Sequence, residues 1–371
     1  MADPTSYDEG PGTGFTDMLE NVTYLLHNNM TPSEIQRQNA FVNALTITRN
    51  IYVPTIVMIG LAGNFLSLVV FTASQLRHVS SSGYLAALAC ADNLFLLSLL
   101  VTWLDGITPI MFSKEACRFI IFITYMSSFL SVWNVVCFTS ERYIAICHPL
   151  HAPMIFSKLQ EKYVVIIFLV LSALLYNFAL WTIETQPYKN RLLCSGNPTF
   201  FFLMNIVTWI DTILTMILPF LLILFMNVRI VWRVIRYQRK RESVLQTHKT
   251  EKTPALRNKS QMRITRTLLL VSTTFLVLNL PSHVIRLEQL ISASNNYNPL
   301  HLKLIQEIAQ LIYYSNFSVN FFLYAIYGKH FKKSLKMLIT NMCRRKKTFS
   351  RDRCRSDFNR TSTTSMQAYS R

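Results

Sequence analysis

Seven stretches of this chain contain no lysine or arginine, and each is long enough to cross a bilayer. They are Ile51–Ala73, Tyr84–Leu104, Phe119–Phe138, Tyr163–Ile183, Phe200–Met226, Thr267–Ile285 and Leu304–Tyr327. A helix needs about 20 mainly apolar residues to span the hydrocarbon core. Lipid offers backbone N–H and C=O groups no partner, so each stretch is predicted to be a continuous helix. The sixth and seventh are the most polar. Only 15% of the 371 residues are charged and 51% are hydrophobic, whereas soluble domains are nearer a quarter charged. The predicted fold is an all-α membrane protein, a seven-helix bundle with a short amphipathic eighth helix. Residues 1–49 are expected to precede the bundle as a tail, 50–328 to form it, 329–342 to form the amphipathic helix, and 343–371 to be a disordered tail.

The net charge of +18 is partitioned by segment. Six acids precede the first span. The connection between spans five and six holds Arg229, Arg233, Arg236, Arg239, Lys240 and further bases, and Arg344-Arg345-Lys346-Lys347 lies near the end. Basic residues stay cytoplasmic, which predicts an extracellular N-terminus and a cytoplasmic C-terminus. Charge placed beside membrane spans suits anionic lipid or an acidic partner and excludes a nucleic-acid partner. No signal-peptide pattern precedes the first span, which is expected to serve as its own anchor. Asn21 and Asn29 are glycosylation sequons on the predicted outer side, while Asn359, predicted inside, is expected to stay unmodified. Cys117 and Cys194 also face that oxidising side, where a bridge would pin the loop between spans four and five to the third span. Cys90, Cys137 and Cys147 read as small buried hydrophobes. Cys343, after an amphipathic basic stretch, is a candidate for palmitoylation.

Polar side chains interrupt the apolar stretches. Asn64, Asp92, Ser131, Asn316 and Asn320 lie inside spans, where an aspartate is a functional hypothesis by default. If they converge, Asp92, Ser131, Asn316 and Asn320 could hold a small cation such as sodium with oxygen ligands; the alternative is an ion-free hydrogen-bond network. Pro219 and Pro281 each remove a backbone hydrogen bond and mark bends, the second a natural hinge. Glu141-Arg142-Tyr143 ends the third span, with Pro149 stopping the helix beyond it. Metalloprotease, nucleophile-elbow, P-loop and dinucleotide motifs are absent from the sequence, and the histidines have no metal-site spacing.

Taken together, these residues resemble the rhodopsin-like G-protein-coupled receptors over about Ile51 to Cys343. Gly63-Asn64, Leu88-Ala89-Cys90-Ala91-Asp92, Cys117 with Cys194, Glu141-Arg142-Tyr143, Pro219 with Asn227, Phe275 with Pro281, and Asn320-Phe321-Phe322-Leu323-Tyr324 are similar to that family's motifs in order. The resemblance implies a Cys117–Cys194 disulfide, a G-protein switch at Glu141, Arg142, Tyr143, Asn320 and Tyr324, and no enzymatic activity. It also implies a heterotrimeric G-protein partner and arrestin recruited through a phosphorylated tail. Within the family, the run Glu141–Leu150 and the stretch Phe275–Arg286 look most like invertebrate neuropeptide receptors of the FMRFamide and thyrotropin-releasing-hormone types.

Four departures alter the expected mechanism. Asn279 replaces the sixth-helix tryptophan, and Phe321 replaces the seventh-helix proline, which should leave that helix straighter. The fourth-helix tryptophan is missing, with Val170 or a neighbour in its place. Gln261 stands where many members carry an acid, so Arg142 is expected to rely on Glu141 alone. Thr124 occupies the amine-binding aspartate position, and span seven has no retinal-binding lysine. The expected ligand site comprises Trp103, Thr124, Tyr125, Ser128, Asp211, Asn279, Ser282, His283, Arg286, Gln306, Gln310 and Tyr314, a mixture suited to an extracellular peptide. Arg286 is expected to meet either a ligand carboxylate or one of Asp211, Glu288 and Glu307. The alternatives are a ligand-free, constitutively active receptor, a lipid receptor, a transporter, and, last, a membrane enzyme.

Overall fold

The computed structural model describes residues 31–78, 81–108, 113–150, 158–188, 191–245, 253–294 and 300–341. Asn21, Asn29, Cys343, Asn359 and the phosphate-acceptor serines and threonines of the tail lie outside the described residues. Seven long helices form the bundle: α1 (Pro32–Ala73), α2 (Ser82–Asp105), α3 (Lys114–Cys147), α4 (Lys158–Tyr176), α5 (Phe201–Thr212, Ile213–Ile217 and Leu218–Leu245 in succession), α6 (Thr253–Ser294) and α7 (Leu300–Tyr327). Helix α1 starts well before Ile51. Helices α5 and α6 both run beyond their apolar stretches, into the basic connection. Among the described residues, six helices are by length and composition apolar enough to cross a membrane, and α7 is not one of them. Its polar side chains turn inward: Asn316, Ser318 and Asn320 are buried.

Helix α3 is the central post, packing on α2, α4, α5 and α6. Helix α1 closes the bundle against α2 and α7. Buried Leu88, Val135, Phe138, Val271, Phe275 and Tyr324 join α2, α3, α6 and α7 in one apolar cluster. The outside is apolar as well. Ile166, Ile167, Val170, Leu171 and Leu174 form an exposed stripe on α4, while Asn64, Asp92 and Asn134 are buried. That inversion is expected of a chain whose solvent is lipid. Cys90 is exposed, and Cys137 and Cys147 are half-buried, so the reading of all three as buried hydrophobes is corrected. Position 90 faces outward from α2, where a thiol is apolar enough to meet lipid.

Three local features account for departures in the sequence. Directly before Pro219, residues Ile213–Ile217 form a π-helical turn, and the Leu218 N–H donates to Ile213 O. This wide turn absorbs the hydrogen bond that the proline cannot make. Helix α7 continues unbroken through Phe321. A Cβ at Gly63 would stand 2.8 Å from the Phe321 Cβ, so the absent side chain is what lets α1 take this phenylalanine against its backbone. Val170, at the missing fourth-helix tryptophan, is exposed. Trp133 of α3 stacks on Phe168 of α4 at 5.0 Å and donates from Nε1 to Leu214 O at 3.2 Å.

One end of the bundle carries an element that the sequence did not signal. After the helical turn Ala179–Thr182, strands β1 (Ile183–Tyr188) and β2 (Arg191–Gly196) pair antiparallel, with Thr185 opposite Cys194. The Cys117–Cys194 disulfide ties this hairpin to the top of α3. Lys114 donates to Glu184, Asn197 Nδ2 donates to it at 3.0 Å, and Arg118 Nε donates to Ile183 O at 2.8 Å. The Lys114 hydrogen bond and the neighbouring cations hold the Glu184 carboxyl below its ordinary range. A depressed folded-state value contributes stability that is present above the ordinary carboxylate range and lost as pH falls through the depressed value. Protection of the hairpin amides, measured against their intrinsic exchange rates, should therefore be constant near neutrality and fall in acid, below pH ~4. Glu184→Gln should flatten that profile.

Beyond Gly328, residues 329–341 are helical. Phe331 is buried against Phe71 and Tyr324, with ring centroids 5.6 Å from each. Lys329, Lys332, Lys333 and Lys336 are exposed.

Candidate functional site

At the disulfide end, three helices converge on Asp211 of α5. Tyr176, the last residue of α4, donates its hydroxyl to Asp211 Oδ1 at 2.6 Å. Arg286 of α6 donates from Nη2 to Asp211 Oδ2 at 2.7 Å. Both carboxylate oxygens are thus engaged, and of the three candidate acids Asp211 is the partner of Arg286. The aspartate side chain is 6% exposed and that of Arg286 is 36% exposed. A carboxylate this deep persists charged only when paired and hydrogen-bonded. The cavity beside the pair is lined by Tyr125, Phe178, Met204, Val207, Thr208, Asp211 and Arg286. Tyr125 stacks on Tyr176 with centroids 5.5 Å apart. The site therefore sets two aromatic rings beside a hydrogen-bonded ion pair whose arginine is partly exposed.

The other expected ligand residues divide by location. Ser128 hydrogen-bonds to the Tyr313 hydroxyl at 2.9 Å, joining α3 to α7 below Tyr125. Gln306 accepts from Gln289 Nε2 at 2.5 Å, joining α6 to α7. Gln310 hydrogen-bonds to Tyr314, and Tyr314 packs with Trp103 in the cluster around Phe95 and Phe317. Ser282 and His283 are half-buried on α6. Two residues turn back on their own helices: Thr124 donates to Ile120 O, and Asn279, 1% exposed, donates to Phe275 O at 2.7 Å. The sequence reading missed Tyr176, Phe178, Met204, Val207, Thr208 and Tyr313. A phenol within an apolar span was the available signal, since a buried tyrosine hydroxyl needs a partner.

Midway down the bundle, Asp92 is completely buried. Its Oδ1 accepts from Ser131 Oγ at 2.6 Å and its Oδ2 from Asn320 Nδ2 at 2.8 Å. Asn64 donates to Phe317 O at 2.7 Å. Asn316 is buried on α7, one turn before Asn320. Helices α2, α3 and α7 thus meet around one carboxylate, and Asn64 ties α1 to α7.

At the opposite end, Arg142 and Glu141 form a buried pair, Nη2 to Oε1 2.9 Å. The expectation that Arg142 relies on Glu141 alone is corrected here, because Arg142 Nη2 also donates to Ser81 Oγ at 2.7 Å. Ser81 lies 61 residues from Arg142, outside any motif, and nothing in the sequence placed it there. Tyr143 meets His148 and Phe225 at ring-centroid distances of 5.7 and 6.2 Å. Tyr324 is buried in the apolar cluster beneath Asp92.

Residues 63–324 match the 7 transmembrane receptor (rhodopsin family). The chain belongs to that family. The receptor is 26% identical over 302 residues to the FMRFamide receptor of Drosophila melanogaster, covering 74% of this chain and 51% of that one. It therefore spans about half the length of that relative. It is 26% identical over 314 residues to the neuromedin U receptor homolog nmur-2 of Caenorhabditis elegans, covering 76% of each. It is 28% identical over 185 residues to the thyrotropin-releasing hormone receptor of Mus musculus, covering 48% of this chain and 45% of that one. As a member of this family, the receptor is a multi-pass protein of the plasma membrane and a signalling protein rather than an enzyme.

Proposed function

We propose that this receptor binds an extracellular neuropeptide at the disulfide end and activates a heterotrimeric G protein at the Arg142 end. The observation that carries the ligand assignment is the Asp211–Arg286 pair set beside the rings of Tyr125 and Phe178, with Arg286 partly exposed. A peptide supplies carbonyl acceptors for the partly exposed guanidinium and side chains for the two rings. The names of the relatives, each a receptor for a peptide, support the same class. The disulfide end faces outward and the basic end faces the cytoplasm, in keeping with the placement of lysine and arginine. Residues 329–341 lie along the inner leaflet, with their exposed lysines toward lipid phosphates.

The ligand favours a pre-existing conformation in which the basic end of α6 swings outward about Pro281. Asp92, Ser131, Asn316 and Asn320 would hold a sodium ion in the resting state. One carboxylate with neutral oxygen donors suits a hard monovalent cation, and its charge would hold the Asp92 carboxylate in place between α2, α3 and α7. Arrestin engages the phosphorylated tail. The test is a screen of amidated peptides against calcium and cAMP readouts in cells expressing the full chain. At least one peptide is expected to evoke a response. Silence to every peptide, with a response to a lipid, would overturn the ligand class.

A further inference from the structure

Arg142 is held by groups that lie outside the Glu-Arg-Tyr triplet. Ser81, directly before α2, has φ 73°, the only positive value at a non-glycine position among the described residues. A side chain disfavours that conformation, so something must impose it. Glu161 of α4 does: its Oε1 accepts from the Ser81 N–H at 2.9 Å, and its Oε2 accepts from the Gly83 N–H at 3.3 Å. A carboxylate is thereby set on the positive end of α2, where two N–H groups lack helical partners. Gly83 makes the approach possible, since a Cβ there would stand 2.7 Å from Glu161 Oε2.

Turned in this way, the Ser81 hydroxyl bridges the switch. It donates to Glu141 Oε2 at 2.5 Å and accepts from Arg142 Nη2 at 2.7 Å. Ser81, Glu141, Arg142 and Glu161 are each less than 5% exposed. Their hydrogen bonds are therefore shielded from water, which makes a broken one costly.

We propose that Ser81 and Glu161 are positioning residues for Arg142, holding it against α2 in the resting receptor. The inference rests on the reading of Arg142 as the G-protein switch. It supplies a restraint on Arg142 from the α2 and α4 side of the bundle. Glu161 fixes the serine, the serine fixes the arginine, and outward release of Arg142 must break the bridge.

Ser81→Gly separates switch from fold, because glycine adopts φ 73° freely and the hydroxyl alone is lost. In the full-length receptor, ligand-free nucleotide exchange on a panel of G proteins, normalised to surface abundance, should rise about 3- to 10-fold. Glu161→Gln should raise it in the same direction by less. A second readout needs no G protein: thermal melts of Ser81→Gly, Arg142→Gln and the double variant should be non-additive, as for residues in contact. Additive melts would overturn the proposal. So would wild-type exchange from Ser81→Gly in a receptor that does couple. If no form drives exchange, the coupling reading fails, and the melts still decide whether the bridge holds Arg142.

Discussion

Replacing Asp211 with alanine should lower peptide potency by roughly 30- to 150-fold, corresponding to about 2–3 kcal/mol. The substitution leaves the Tyr176 hydroxyl without its acceptor and Arg286 without its counter-charge. Breaking a buried pair costs about 3–5 kcal/mol. Arg286 is about a third exposed, so water recovers part of that, and the smaller figure is used. Asp211→Asn retains an acceptor for Tyr176 and should fall between wild type and alanine. Exchanging the charges, Asp211→Arg with Arg286→Asp, should recover part of the loss. Potency in the calcium assay checks the ligand side, and thermal inactivation without ligand checks the structural side. If Asp211→Ala left both unchanged, Asp211 would not be the organising residue of the site.

Removing the disulfide should have the other large effect. Cys117→Ser frees the β1–β2 hairpin from α3 across a sequence separation of 77 residues. Native disulfides contribute about 2–5 kcal/mol. The apolar cluster of Ile121, Tyr176, Phe178 and Ile183 is built around the bridge, so its release should also loosen Tyr176 from Asp211. Surface abundance and peptide response should both collapse. Cys194→Ser should match Cys117→Ser, and the double variant should be no worse than either. A double variant with twice the deficit would mean that the two thiols act independently.

What the sequence made legible follows from physics that is local or compositional. The seven stretches without lysine or arginine gave the helices, because the cost of leaving backbone groups unpaired in lipid applies residue by residue. Asp92 announced itself, because a carboxylate amid Leu-Ala-Cys-Ala and Asn-Leu-Phe must find partners. Long-range pairings were not legible. Arg286 had three candidate acids within reach of sequence reasoning, and only packing of α5 against α6 selects Asp211. The missing α4 tryptophan was visible, and the stacking of Trp133 of α3 on Phe168 of α4 was not. The hairpin has two six-residue strands with little alternation to reveal them. Ser81 is an ordinary serine until the backbone turns it, and that turn is imposed by a glutamate 80 residues away.

The account depends on the Arg142 end of the bundle opening. Its most direct test is a spin-label distance between Thr72→Cys at the end of α1 and Arg266→Cys on α6, both exposed, in a full chain with Cys90, Cys137, Cys147, Cys343 and Cys354 replaced. With nucleotide-free G protein bound, that distance should lengthen by about one helical turn, ~5 Å, relative to the receptor alone. An unchanged distance in a complex shown to have formed would contradict the outward swing of α6.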